Sequence, residues 1–111
     1  MSLDVYLVKD DDEKLLFWGN ITHNLSKMAS MADLRYPLWE PENYHYGPLT
    51  KANQLIPVLR TGLEKLKNNP DYFELFAPGN GWGSYGGLVA FVEMYLEACI
   101  KYPDASVCVS R

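Results

Sequence analysis

Alternating apolar and polar residues predict a strand near the start of the chain. The apolar residues that share one face of residues 3–8 are Leu3, Val5 and Leu7, as in a half-buried strand. An acidic run at 10–13 interrupts the alternation, and residues 15–18 resume it. We therefore expect a β-hairpin whose acidic turn lies in water.

Helical spacing of apolar residues appears in three later segments. These segments are predicted as helices over about 22–34, 50–67 and 85–101. Thr50 and Ser84 carry side-chain oxygens suited to capping the second and third helices. The third segment is the most apolar, so it is predicted to be the central helix.

The remaining segments complete the predicted fold. Residues 36–48 carry prolines and several aromatic residues without a period, which predicts a long aromatic loop. Residues 105–110 alternate again, and the hairpin is the only sheet with which they can pair. The chain is therefore predicted to be one α+β domain, 1–111, in which a small three-stranded, mainly antiparallel sheet packs against three helices.

Composition narrows the class of protein. The 111 residues are 48% hydrophobic and carry a net charge of −4, which argues against nucleic acid as a partner. Two cysteines, the absence of a leader-like start and the absence of a long apolar run predict a cytoplasmic protein with no membrane partner.

A glycine-rich turn at 81–86 matches the pattern G-x-G-x-x-G and precedes a predicted helix. That pattern binds dinucleotides when it follows a strand of a parallel sheet. Here the preceding segment is short and lies between Pro70 and Pro78, so we expect a tight turn that seats Trp82 against the core. In an alternative interpretation, backbone amides of this turn and the face of Trp82 hold an anionic or planar ligand.

A polar cluster stands where the second strand meets the first helix. Its members are Asn20, Thr22, His23 and Asn24. Such side chains cap helices, and they also read the donor and acceptor groups of a small polar ligand. No metal or other cofactor is expected, because His23 and His45 have no third ligand at a recognisable spacing.

Catalytic chemistry has no clear candidate in this sequence. Cys99 falls on an apolar helical stripe and is predicted to be a core residue. Cys108 has no neighbouring histidine. Enzymatic activity is not the leading expectation, although a small hydrolase that uses His23 as a general base stays open.

Four motifs support a resemblance to a set of short proteins from phages, prophages and bacteria. The motifs are N-I-T-H-N-L from Asn20, L-W-x-P-E from Leu38, N-G-W-G-x-Y from Asn80 and P-D-A-x-V-x-V-S-R from Pro103. The resemblance implies a phage-associated origin, and it implies no particular activity.

These observations favour a non-enzymatic binder of a small polar, nucleotide-like ligand, for example one that sequesters a molecule in counter-defence. The predicted ligand-binding residues are Asn20, Thr22, His23, Asn24, Trp39, Asn80, Trp82, Tyr85 and Arg111. The alternative is a protein–protein interaction module, a homodimer or a binder of a host protein, that uses the aromatic loop as its anchor.

Overall fold

The computed structural model describes residues 1–111, and its sheet follows the alternation of the sequence. Strands β1 (Ser2–Val8) and β2 (Leu15–Thr22) form an antiparallel hairpin, and β3 (Ser106–Ser110) pairs antiparallel with β1. The strand order is β2-β1-β3, so β1 is central. The predicted α+β class with a three-stranded antiparallel sheet is confirmed.

The two faces of the sheet differ in how deeply their residues are buried. Leu3, Val5 and Leu7 of β1 are fully buried under the helices. On the opposite face, Tyr6 lies in register with Trp18 of β2 and Cys108 of β3. No helix covers that face, and Trp18 is 57% exposed.

Five α-helices and two short 3-10 turns connect the strands. The helices are α1 (Ser26–Met31), α2 (Arg35–Trp39), α3 (Ala52–Asn68), α4 (Pro70–Glu74) and α5 (Tyr85–Lys101), and the 3-10 turns are His23–Leu25 and Pro41–Asn43. The long helices α3 and α5 pack against each other. Because the ring of Phe17 stacks on Tyr95 at 5.7 Å, α5 lies beneath β2.

The first predicted helix is shorter than expected. It was predicted to run to Leu34, but α1 ends at Met31 because Asp33 adopts a left-handed conformation with φ of 58°. The backbone N–H of Leu34 then donates to the carbonyl of Ala29 at 2.8 Å. The chain turns there and begins a new helix.

The predicted aromatic loop, 36–48, also contains regular structure. Its first part belongs to α2, which includes Pro37. Pro37 falls in the first turn, where its missing N–H would have had no partner within the helix. Proline at this position therefore does not end the helix.

Of the two predicted helix caps, one is confirmed and the other is wrong. Ser84 caps α5, since its Oγ accepts from the N–H of Gly87 at 3.0 Å. The prediction for Thr50 is wrong: Lys51 is the N-cap of α3, and Gln54 Oε1 accepts from the N–H groups of Thr50 and Lys51 at 2.8 and 2.9 Å.

One core joins all these elements. Its 25 buried residues form a single cluster, and no polar or charged residue is buried with them. The helices lack the length and the apolar composition that a membrane span requires.

Candidate functional site

A groove of about 300 Å³ lies between the end of β2 and the first half of α5. Its lining includes Asn20, Thr22, Gly83, Ser84, Phe91 and Met94. None of its ten lining residues is charged. The groove therefore joins part of the predicted polar cluster to the glycine-rich turn.

Gly83 brings that turn against β2. Its φ is 110°, and a Cβ there would lie 2.9 Å from both Leu25 Cγ and Thr22 Cγ2. Any larger residue would be strained and would push the turn outwards. The close approach of the turn to Thr22 thus depends on glycine at this position.

The polar side chains of the groove already have partners within the chain. Thr22 Oγ1 accepts from the N–H of Asn24 at 3.2 Å. Asn20 Nδ2 donates to Asp4 Oδ1 at 2.8 Å and to Ser2 Oγ at 3.0 Å. The capping interpretation accounts for Thr22, while the carbonyl oxygen of Asn20 is left as an acceptor.

Three other predicted site residues form a separate cluster. The indole N–H of Trp39 donates to Nδ1 of His23 at 2.8 Å. Arg111 Nη1 donates to the carbonyl of Trp39 and lies 2.8 Å from a carboxylate oxygen of Glu42. Trp39 is only 3% exposed, so its ring has no open face on which a ligand could stack.

The Trp39 hydrogen bond also fixes the chemistry of His23. Because Nδ1 accepts, the proton of the neutral ring resides on Nε2. Nε2 then has no lone pair with which to take a proton from a substrate. His23 can act as a general base only if this bond to the core breaks.

The remaining predicted residues lie along the turn and the first turn of α5. Asn80 Oδ1 accepts from the N–H of Trp82 at 3.0 Å, which holds the turn. The Trp82 side chain is 70% exposed, so it is not seated against the core as expected. Tyr85 donates its hydroxyl to the carbonyl of Leu66 at 2.6 Å and ties α5 to α3.

The structure thus divides the nine predicted residues. Asn20 and Thr22 line the groove. Asn80 holds the turn beside it, on which Trp82 is exposed. His23, Trp39 and Arg111 form interactions that join distant parts of the chain. Asn24 is exposed and Tyr85 is half-buried, and neither lines the groove.

Sequence analysis missed the free edge of β2, which borders the groove. In an antiparallel strand, alternate residues direct both backbone groups away from the partner strand. In β2 these outward groups have no hydrogen-bond partner within the chain. A strand assignment alone could not find this feature, because it depends on the strand order.

The outer edge of β3, by contrast, is covered at its start. The N–H of Val107 donates to the carbonyl of Thr50 at 2.9 Å, and the backbones of Lys51 and Ser106 form an antiparallel β-bridge. The segment before α3 therefore occupies that edge at residues 105–107. Only β2 offers a long strand edge with free backbone groups.

Three clefts are larger than this groove. One of them, of about 340 Å³ beside β3, is lined by Arg111. The other two contain none of the predicted residues. A cleft of about 520 Å³ beside the hairpin turn has lysines and aspartates in its wall. One of these, Asp10, is held by Lys51 and Ser106, whose hydrogen bonds lower its pKa. Because positive and negative side chains both line this cleft, its charge favours neither an anionic nor a cationic ligand.

A cleft of about 400 Å³ lies between the aromatic loop and α3. Its wall includes Tyr44, His45 and Tyr46, whose rings contact one another. The centroids of His45 and Tyr46 are 4.1 Å apart. The planes of these two rings are inclined at 48°, and Tyr46 is 82% exposed.

The structure assembles no cluster of metal-ligating side chains and no reactive buried thiol. No group of three or more His, Cys, Asp or Glu side chains is placed to hold a metal ion. Cys99 is buried, and burial raises the pKa of its thiol to about 12. Such a thiol stays protonated and unreactive at neutral pH.

Comparisons with protein-family models, with curated proteins and with solved structures found no match for this chain. The geometry of the groove and of the strand beside it therefore carries the functional proposal.

Proposed function

We propose that this chain is a non-enzymatic interaction module that accepts an extended segment of another protein along β2. The observation that carries the proposal is the free edge of β2 beside the uncharged groove. Added strands gain main-chain hydrogen bonds from such an edge, and pockets beside it select alternate side chains.

The lining of the groove defines the chemistry of the bound segment. Phe91, Ala90 and Met94 offer apolar surface, and no charged residue is present to pair with an ion. A charged side chain would lose its hydration there without gaining a partner. We therefore expect an uncharged segment whose alternate residues are apolar.

This proposal moves the interaction surface away from the aromatic loop. Trp39 is buried, so the strongest anchor expected in that loop is unavailable to a partner. Met94 is 54% exposed on α5, next to the free strand. The groove thus combines exposed apolar surface with unpaired backbone groups.

Selection from a displayed library of random short peptides tests the proposal. We expect the selected peptides to be uncharged and to alternate apolar residues, and their binding to slow amide exchange in β2. Met94→Glu should weaken that binding at least tenfold, about 1.4 kcal/mol.

Ile100→Glu is the matched control, because Ile100 is 49% exposed on the same helix but outside the groove. Its binding should equal that of the unmodified chain. Peptides that bind equally well to the Met94→Glu variant, or a library that yields no binder for the monomeric chain, would refute the proposal.

A second candidate function keeps the small polar ligand predicted from sequence. It is favoured by the meeting of Asn20, Thr22 and Ser84 in one groove. Here the ligand would accept from the two hydroxyl groups and donate to the amide oxygen of Asn20. Mass spectrometry of small molecules released on denaturation tests it, with a Ser84→Ala variant expected to release less.

The phage association stays a prediction.

A further inference from the structure

β2 itself has the chemistry that its neighbouring groove favours. Residues 15–22 contain no charged side chain and no proline. Leu15 and Trp18 of this strand are 54% and 57% exposed. Natural edge strands usually carry a lysine, a proline or a covering segment that prevents pairing with other chains. β2 has none of these, whereas the start of β3 is covered by the segment before α3.

We infer that the segment bound along β2 is β2 of a second copy of this chain, so that two copies form a continuous six-stranded antiparallel sheet. This inference rests on the proposed function, since it uses the same free edge and groove. An antiparallel pair of identical strands is self-complementary about a two-fold axis.

A two-fold axis normal to the sheet determines which residues meet. It places a residue near the centre of β2, Trp18 or Gly19, opposite its own copy. Phe17 and Ile21 face the helices within one copy, since they pair with Leu7 and Leu3 of β1. The same axis keeps these residues on the helix side in both copies, which preserves a single apolar layer.

Charge favours this arrangement. The acidic turn at 10–13 precedes β2, and antiparallel pairing brings it towards the end of the second β2, near Thr22 and Asn24. Those residues carry no acidic group, so like charges are kept apart. The groove lining is uncharged as well, so no buried ion is left unpaired.

The molar mass in solution, measured from about 1 µM to about 1 mM, tests the inference. We expect a shift from monomer to dimer, together with slower amide exchange in β2 at high concentration. Trp18→Lys places an ammonium group beside this edge, and it should raise the dimer dissociation constant at least tenfold. Met94→Glu should do the same from the groove.

Leu75→Lys is the matched control, because Leu75 is 76% exposed and lies outside both β2 and the groove. It should leave the dissociation constant unchanged. A monomer at every concentration, or a dimer that tolerates both Trp18→Lys and Met94→Glu, would overturn the inference. A monomer that still binds selected peptides along β2 would overturn the inferred dimer alone. A chain that binds neither a second copy nor such peptides would overturn the proposed function as well.

Discussion

Trp39 and His23 are joined by a hydrogen bond of 2.8 Å between the indole N–H and the imidazole Nδ1, at the edge of the core. The bond connects α2 to the 3-10 turn that follows β2. Trp39 is buried, and His23 is the acceptor that its N–H has within the chain. His23 therefore stabilises the fold whatever ligand the chain binds.

Replacement of His23 tests this role. His23→Ala should lower the free energy of unfolding by about 1–3 kcal/mol, the cost of a buried donor without an acceptor. Denaturant titration measures the change. His23→Asn keeps an acceptor near the Nδ1 position and should recover part of the loss.

Asn24→Ala is the neighbouring control, since Asn24 is exposed and its side chain makes no hydrogen bond. Its effect should stay within about 0.5 kcal/mol. If His23→Ala were as harmless as Asn24→Ala, the bond to Trp39 would contribute nothing to stability.

Two tyrosines should respond oppositely to the same substitution. The buried hydroxyl of Tyr95 has no hydrogen-bond partner, so Tyr95→Phe should raise the free energy of unfolding by about 1 kcal/mol. Tyr85→Phe removes the bond to Leu66 and should lower it by about 1 kcal/mol. Thermal and denaturant unfolding of both variants measure the difference, and equal signs would contradict this account.

Two glycines in helices should also differ. A Cβ at Gly62 of α3 would lie 2.4 Å from two atoms of Leu34, so Gly62→Ala should cost about 1–3 kcal/mol through overpacking. A Cβ at Gly86 of α5 would meet nothing within 4 Å. Gly86→Ala should gain up to about 1 kcal/mol of helix propensity. Midpoints of urea unfolding compare them, and a stabilising Gly62→Ala would show that α3 and Leu34 can separate at no cost.

Thiol labelling should distinguish the two cysteines. Cys108 is exposed on β3 and Cys99 is buried in α5. A disulfide reagent should therefore modify one thiol per folded chain rapidly and the second only after unfolding. A Cys108→Ser variant should show no rapid labelling, and rapid labelling of that variant would mean that α5 opens frequently.

Cys99 also makes stability fall at alkaline pH. Its pKa is raised by burial to about 12, so the unfolded chain loses this proton at lower pH than the folded chain does. The stabilisation is complete below the ordinary thiol pKa and is lost as pH rises towards 12. Between pH 8 and about pH 10.5 this loss amounts to ~2 kcal/mol.

Cys99→Ala provides the comparison for this pH dependence. The variant should be less stable at pH 8, but its unfolding free energy should decline less steeply towards pH 10.5 than that of the unmodified chain. Identical slopes would mean that the Cys99 thiol titrates alike in the folded and unfolded chains.

The local pattern of the sequence was sufficient to predict the sheet and the two long helices. The alternation of Leu3, Val5 and Leu7 identifies the buried face of β1, and Ser84 marks the start of α5. These features depend on neighbours within a few residues. Interactions between residues so close in the chain can be predicted from the spacing of residue types in the sequence.

The placement of the predicted site residues could not be inferred in the same way, because their contacts join remote parts of the chain. Nothing near Trp39 in sequence indicates that His23 accepts its N–H or that Arg111 binds its carbonyl. The left-handed conformation of Asp33, which redirects the chain into α2, is likewise uncommon for residues other than glycine. Periodicity describes faces of elements and leaves their mutual placement undetermined.

The central position of β1 has a consequence for the order of folding. Asp4 pairs with Asn20 on one side and with Ser110 on the other. The first pairing is available soon after the hairpin is synthesised, whereas the second closes a loop of almost the whole chain and costs more entropy. During synthesis, the edge of β1 that pairs with β3 therefore stays uncovered and open to mispairing until β3 has left the ribosome.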